Sequence, residues 1–442
     1  MVEAAKVISG KSGGIRRSLK LKGGAPPAVR LETYGCTLNH ADSDIIRGIL
    51  EEAGFLLSPD APIFILNTCA VKETTENKLI SRLEYLHAAG KKIIVAGCLG
   101  MKPNQKRIWK AAPNAVIVLP EAVSQILEAI EALEAGEVKV FSGGDSKGGL
   151  PRIFSAPILR IAVQEGCVGA CNFCQTKIAR PKLRSLSVRE VKRWAEEGVK
   201  RGAKEIQITG QDTGAYGMDI GADLPTMLRE VLSIPGDFMV RLGMINPAHA
   251  KRFLPELLEL LENPKFYRFL HIPVQSGSER VREDMNRLHS VADFEYVVGK
   301  LREKFPEITI STDIIVGYPT ESVEDYEATK KLLEKIEPDI VNVSKYSSRR
   351  GTGASLMKKI PTQEVKRRSK ELSALVHELT RKRNSRYLGE VADVLITELQ
   401  KTPTGRMRNY KQVCVDSDLE VGNWVKVKIT DFNHGSLFGE LI

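Results

Sequence analysis

No apolar run in this chain approaches the roughly twenty residues that span a bilayer, and the first thirty residues carry neither a signal-peptide core nor an amphipathic transit pattern. A cytoplasmic protein with no membrane partner is therefore expected. Cysteine is sparse: seven residues, an odd number scattered over 442, exclude a disulfide framework of the secreted kind and point to metal or cluster ligation in a reducing compartment. Histidine is equally scarce, and none follows the cysteines at zinc-ligand spacing; His249 and His271 stand far from them. Acidic residues are outnumbered, 55 against 65 Lys and Arg, which leaves a formal charge of +10. Such an excess favours a polyanionic partner, although it also serves simply to keep a surface solvated.

What is present is concentrated in one stretch, Cys167-Val168-Gly169-Ala170-Cys171-Asn172-Phe173-Cys174, with three cysteines spaced C-x3-C-x2-C. An iron–sulfur cube needs four ligands, so a cube held here keeps one iron open to a small chelating molecule. The apolar run at 158–163 predicts a buried strand before the loop, and 187–197 an N-capped helix after it. The loop thus sits at the carboxyl end of a strand, where α/β folds place their active sites. The competing readings are a zinc site, which usually wants two close pairs of ligands, and idle buried thiols.

Three further cysteines repeat this placement. Strands predicted at 29–34, 63–66 and 93–96 end at Gly35-Cys36, Asn67-Thr68-Cys69 and Gly97-Cys98, with helices expected over 42–53, 73–89 and 104–112. Parallel strands joined by such crossovers bring their carboxyl ends to one edge of a sheet, so Cys36, Cys69 and Cys98 converge there. The alternative is three small residues buried near strand ends. A last strand and helix lead to 142–149, a Gly-rich stretch that reads as a linker.

Six strand–helix units then begin with strands near 158–163, 205–208, 239–245, 269–272, 309–316 and 340–343, which predicts a parallel, partly closed barrel. Its loops carry Gly210, Gln211, Asp212, Gln275, Ser276 and Gly317, where glycine permits close backbone approach and the polar side chains suit a ribose or an amino-acid head. Ordinary turn chemistry would also account for them. A basic helix at 363–386 reads as a solvated face, and from 389 onward short strands predict a small antiparallel barrel. Arg406, Arg408, Tyr410 and Lys411, with Trp424, Lys426 and Lys428, mix basic and aromatic residues as RNA-binding barrels do. Cys414, alone in a strand, reads as packing. The expected organisation is a flexible basic tail (1–27), an N-terminal parallel α/β domain (28–141), a partial (β/α)6 barrel (150–386) and a terminal RNA-binding β-barrel (387–442).

This order of parts resembles the methylthiotransferases of the radical S-adenosylmethionine superfamily, whose last module is the TRAM domain. Thr33-Tyr34-Gly35-Cys36 with Asn39 and Asp42, Asp212-Thr213-Gly214-Ala215-Tyr216-Gly217 with Asp219-Ile220-Gly221, and Arg241-Leu242-Gly243-Met244 are similar to the archaeal and eukaryotic branch. That branch makes 2-methylthio-N6-threonylcarbamoyladenosine next to the anticodon of tRNA. The resemblance implies two 4Fe–4S clusters and S-adenosylmethionine as cofactors. Cys167, Cys171 and Cys174 would hold the cluster that splits S-adenosylmethionine, and Cys36, Cys69 and Cys98 the auxiliary cluster. One molecule of the cofactor would donate a methyl group and a second would yield a deoxyadenosyl radical that activates C2 of the adenine. The implied partners are the tRNA anticodon stem-loop, an electron donor and a sulfur source. The alternatives are methylthiolation of a ribosomal-protein side chain, and a non-enzymatic RNA-binding protein with two structural metal sites.

Overall fold

The structure, a computed structural model, describes residues 6–8, 27–70, 73–399 and 401–442. Of the tail expected over 1–27, Lys6–Ile8 forms a strand antiparallel to Arg152–Phe154, and residues 1–5 and 9–26 lie outside the described residues.

The N-terminal unit is a six-stranded sheet, parallel throughout, in the spatial order Leu56–Leu57, Ala28–Thr33, Ile63–Thr68, Lys92–Gly97, Val116–Val118, Val140–Phe141. Strands covered on both faces need continuous apolar runs, and Ile63–Thr68 is buried along its whole length. Alternate side chains feed two cores. Ile63, Ile65, Ile94 and Val116 pack against the helices Thr37–Glu52 and Ile126–Glu134, while Phe64, Leu66, Val95 and Ile117 pack against Glu73–Ala88 and Lys102–Ala111. The stretch expected as a linker is a structured joint: Lys147 is buried and forms ion pairs with Asp42 at 2.6 Å and with Glu165.

The central unit carries two parallel three-stranded ladders, Met239–Leu242, Glu205–Thr209, Ile158–Ala162 and Phe269–His271, Thr309–Val316, Ile340–Lys345. They are joined where Tyr267 N donates to Val240 O and Ile245 N to His271 O, which makes one curved barrel wall. Outward residues such as Leu159, Ile206, Val240, Leu270 and Ile310 are fully buried in the main core with the helices. The residues between them face the lumen.

The terminal unit is a closed five-stranded barrel. It was expected to be antiparallel, and it is except for Gln412–Val415, which runs parallel to Leu437–Leu441. The stretch bearing Arg406, Arg408, Tyr410 and Lys411 is not one strand: Pro403–Arg406 turns through Met407 to Lys411 before Gln412–Val415, with Tyr410 at φ +64°. This turn enters the base of the central barrel. The Tyr410 ring lies 4.8 Å from that of Tyr267 and 4.9 Å from that of Phe269, and its hydroxyl donates to Glu205 at 3.1 Å.

Candidate functional site

The first cysteine triad is built by strand register. Thr33 pairs with Asn67 and Thr68 with Gly97, so the chain ends bearing Cys36, Cys69 and Cys98 emerge side by side. Gly35 permits this approach: its φ is +116°, and a Cβ there would lie 2.6 Å from Cys69 Cβ and 3.0 Å from Cys69 Sγ. Asn39 ties the loops together, donating from Nδ2 to Tyr34 O at 2.9 Å and to Thr68 O at 2.8 Å. Burial pushes the Cys98 thiol up to about 11 against the pull of the Arg180 guanidinium, and the sulfurs of Cys36 and Cys69 push the same way as burial.

The second triad crowns the strand Ile158–Ala162. Its loop is bolted to the barrel by Asn172 N to Met285 O at 3.0 Å, Asn172 Nδ2 to Asp284 O at 2.7 Å and Asn286 Nδ2 to Ala170 O at 2.9 Å. Gly169 N donates to Cys167 Sγ at 3.3 Å, and Arg287 Nη1 to Cys171 Sγ at 3.5 Å. A Cβ on Gly169 would stand 3.5 and 3.8 Å from the Cys167 and Cys171 sulfurs, in the space a cluster would fill. Burial, followed by the Asp212 charge, pushes the Cys167 thiol up to about 11. Grouped sulfurs that resist ionisation as bare thiols are what a bound cation stabilises as thiolates. Three thiolates around such a cradle fit an iron–sulfur cube with one iron left open. Among the described residues no group of three or more His, Cys, Asp or Glu is placed to hold a single metal ion.

The triads meet through a buried ionic joint. Arg180, six positions after Cys174, pairs with Asp42 at 2.5 Å and with Glu165, and it reaches Cys98. Lys147 pairs with the same two carboxylates. Burial alone would raise Asp42, but Arg180 and Lys147 more than offset it and hold its carboxyl below the usual range.

Around the rim the structure places Gly210 against Gln164 and Gln275 at φ +71°, its backbone N donating to Asp313 O at 2.8 Å. Gly317, at φ +75°, lies against Val365. The Gln211 Oε1 atom is buried without a hydrogen-bond partner. Asp212 and Ser276 are occupied within the protein. The Asp212 carboxylate accepts from Gly214 N and Asn246 N and lies 3.1 Å from His249 Nδ1; Ser276 Oγ accepts from Ser278 N at 3.2 Å. Both therefore position loops.

The RNA-binding expectation needs correction at the hairpin. Tyr410 is the plug just described. Lys411 is 5% exposed, donating to Asn384 Oδ1 at 2.7 Å and pairing with Asp339 at 3.2 Å. Arg406 stacks on the Tyr410 ring at 4.9 Å, and Arg408 donates to Glu262 O at 3.4 Å. A basic–aromatic mixture marks a joint between modules as readily as an RNA face. Lys426 and Lys428, by contrast, are exposed. Sequence reasoning missed Arg180, Arg287 and Lys147, whose charges look solvated until their buried partners are seen; Arg180 and Lys147 flank the central cysteine loop, which was the available signal.

Asp44, on the same helix as Asp42, offers a pH test of how the helix Thr37–Glu52 is buried. Burial raises it to about 7 despite Arg160, Arg47 and Arg152. Its folded value lies above its unfolded one, so its contribution to stability is complete below the model-peptide value of 3.8 and is lost as pH rises through about 7. Asp44→Asn is expected to flatten this loss, by no more than about 1.4 kcal/mol per pH unit, in urea unfolding measured across that window.

Three family descriptions match the chain: residues 28–120 the Uncharacterized protein family UPF0004, residues 161–333 the Radical SAM superfamily and residues 384–442 the TRAM domain. An Archaeoglobus fulgidus protein described as a probable threonylcarbamoyladenosine tRNA methylthiotransferase is 42% identical over 424 residues, covering 93% of this chain and 98% of the other. A Danio rerio threonylcarbamoyladenosine tRNA methylthiotransferase is 35% identical over 419 residues, covering 91% of this chain and 76% of the other. Among solved structures, the radical S-adenosylmethionine methyltransferase TsrM from Kitasatospora setae, with cobalamin and a 4Fe–4S cluster bound, aligns with a TM-score of 0.54 over 75% of this chain and 77% of that one. At 13% identity this is a likeness of fold.

Proposed function

The chain belongs to the threonylcarbamoyladenosine tRNA methylthiotransferase family, and we propose that it inserts a methylthio group at C2 of N6-threonylcarbamoyladenosine next to the anticodon of tRNA. The observation that carries this reading is the meeting of two cysteine triads at one joint, with Arg180 reaching from the loop of the second triad to Cys98 of the first. The C2 carbon of a purine has no acidic proton, so acid–base catalysis cannot activate it and a radical-generating cofactor is required. When bound, two iron–sulfur clusters and S-adenosylmethionine supply the methyl group, the sulfur site and the deoxyadenosyl radical.

The chain's own residues supply ligation, charge and orientation. Cys167, Cys171 and Cys174 hold one cluster, and Cys36, Cys69 and Cys98 the other. Arg287, donating to Cys171 Sγ, offsets part of the negative charge that ligation gathers there. Gln211, whose buried Oε1 is an unused acceptor, and the backbone at Gly210 orient the polar ends of S-adenosylmethionine. Exposed Lys426 and Lys428 on the strand Trp424–Phe432 contact the phosphate backbone of the anticodon stem-loop. Among the described residues no helix is long and apolar enough to cross a membrane. We place the reaction in the reducing cytoplasm, where an electron donor and a sulfur source complete the cycle.

The test is anaerobic incubation of the reconstituted protein with S-adenosylmethionine, a reductant and tRNA carrying threonylcarbamoyladenosine, followed by nucleoside mass spectrometry. A 2-methylthio nucleoside that depends on S-adenosylmethionine is expected. An unchanged nucleoside alongside a methylthiolated ribosomal protein would contradict the proposal.

A further inference from the structure

The lumen of the central barrel carries a polar layer that a filled barrel would not need. Arg160, Gln207 and Arg241 share one register row across three strands; further towards the strand ends, His271, paired with Ser311, and Asp313, paired with Asn342, add polar groups on the other ladder. His271 Nε2 lies 3.0 Å from Asp313 Oδ1, and Asn342 Nδ2 donates to the same atom at 2.8 Å. The side chains of Arg160, His271 and Asp313 are 24%, 18% and 29% exposed, whereas the outward residues Leu159, Val240 and Leu270 are 0% exposed. Solvent therefore reaches this layer. Beside the edge strand Ile340–Lys345, between it, the helix Thr362–Asn384 and the terminal barrel, lies a cavity of about 510 Å³ lined by Asn342, His377, Arg406 and Tyr410.

Arg241 is the exception within the layer. Its neighbours Val240 and Leu242 are in the outer core, so strand alternation turns Arg241 inward. Its guanidinium lies over the rings of Phe269 at 5.3 Å and Tyr410 at 5.8 Å, and it makes no hydrogen bond or ion pair with any described residue; its Nε is buried without a partner. The other cations nearby are engaged: Arg160 stands 3.9 Å from Asp44, and Arg287 donates to Cys171 Sγ and Pro273 O. The fork has no anion although its Nε is buried, and it is the group best shaped to grip a carboxylate with two hydrogen bonds.

We infer that Arg241 is the specificity-determining residue that binds the carboxylate of the substrate's threonylcarbamoyl arm inside the lumen. The inference rests on the proposed function. The arm projects from N6, a few bonds from a terminal carboxylate and a hydroxyl, and C2 and C6 flank the same ring nitrogen. A base presented with C2 towards the cysteine loops can lower this arm towards Arg241, which is level with Gln207 and so about three residues, or about 10 Å, below Gly210 at the rim. The Asp313–Asn342–His271 group faces the same space and offers partners for the arm's hydroxyl and amide. The aromatic floor of Phe269 and Tyr410 holds the guanidinium in place and limits its hydration.

The experiment compares binding of two stem-loop RNAs to the reconstituted full-length protein, one carrying threonylcarbamoyladenosine and one its methyl ester, which keeps the arm and removes the charge. Wild-type protein is expected to prefer the acid by about 10- to 100-fold, the range of a charge-assisted bidentate contact. Arg241→Gln should remove most of that ratio, and Arg241→Lys, which keeps the charge without the fork, should fall between. Because the quantity is a ratio, general loosening of the fold in a variant cancels. A ratio near one in wild type, or an undiminished ratio in Arg241→Gln, would overturn the inference. Turnover is read separately: a preference for the acid without methylthiolation of either RNA would refute the proposed reaction and leave the carboxylate contact standing.

Discussion

Replacing Cys98 with alanine is expected to stop methylthio-tRNA formation, by more than about a hundredfold, while S-adenosylmethionine is still cleaved to deoxyadenosine. The bound follows from the 10- to 100-fold commonly lost when only an outer partner of a metal ligand is removed; loss of the ligand itself must exceed it. Cleavage should survive because the Cys167 triad stands on a different unit, held by Met285, Asp284 and Asn286 rather than by the N-terminal sheet. Removing one buried sulfur leaves Asn39, Thr68 and the strand register untouched, so the sheet should hold. Chromatography of deoxyadenosine and of digested tRNA from one reaction reads both halves. Loss of both products together would mean that the triads are not separable in function, and retention of both would mean that Cys98 is not a ligand.

The second large effect is expected at Tyr410. Truncation to alanine empties the base of the central barrel, where the ring packs on Tyr267 and Phe269 and the hydroxyl serves Glu205. Removing a buried aromatic of this kind costs about 3–5 kcal/mol. Much of that cost should fall on the joint, because the terminal barrel keeps its own core of Val394, Ile396, Val413, Val427 and Leu437. Calorimetry should show the terminal barrel melting apart from the rest, with tRNA binding weakened. Tyr410→Phe should keep the docking and lose only the Glu205 contact. A single transition, unshifted in Tyr410→Ala, would show that the plug does not hold the two barrels together.

These residues also show what can be read from sequence and what cannot. The strand runs before Cys69 and Cys98 are legible because a strand buried on both faces must be apolar along its length, the run before Cys36 because it alternates and that before Cys167 because only Arg160 breaks it, and the cysteines that follow interrupt a pattern. The helix Val323–Ile336 carries its start signal in the sequence, the capping box of Ser322 and Asp325. Edge strands of two residues, Leu56–Leu57 and Val140–Phe141, are too short to show alternation. The ionic joint is illegible for a different reason: Arg180 meets Asp42 across 138 positions, and Tyr410 meets Glu205 across 205. A charge or a phenol whose partner lies so far along the chain looks like a solvated surface group. That is why Lys147 read as linker and Lys411 as an RNA contact, while each is buried against a carboxylate.

The most direct measurement is an iron and sulfide count after anaerobic reconstitution, on the intact protein and on the Cys167→Ala, Cys171→Ala, Cys174→Ala variant. Two paired triads predict about eight irons falling to about four. Zinc at full occupancy without iron, or an iron count unchanged by the triple substitution, would contradict the account.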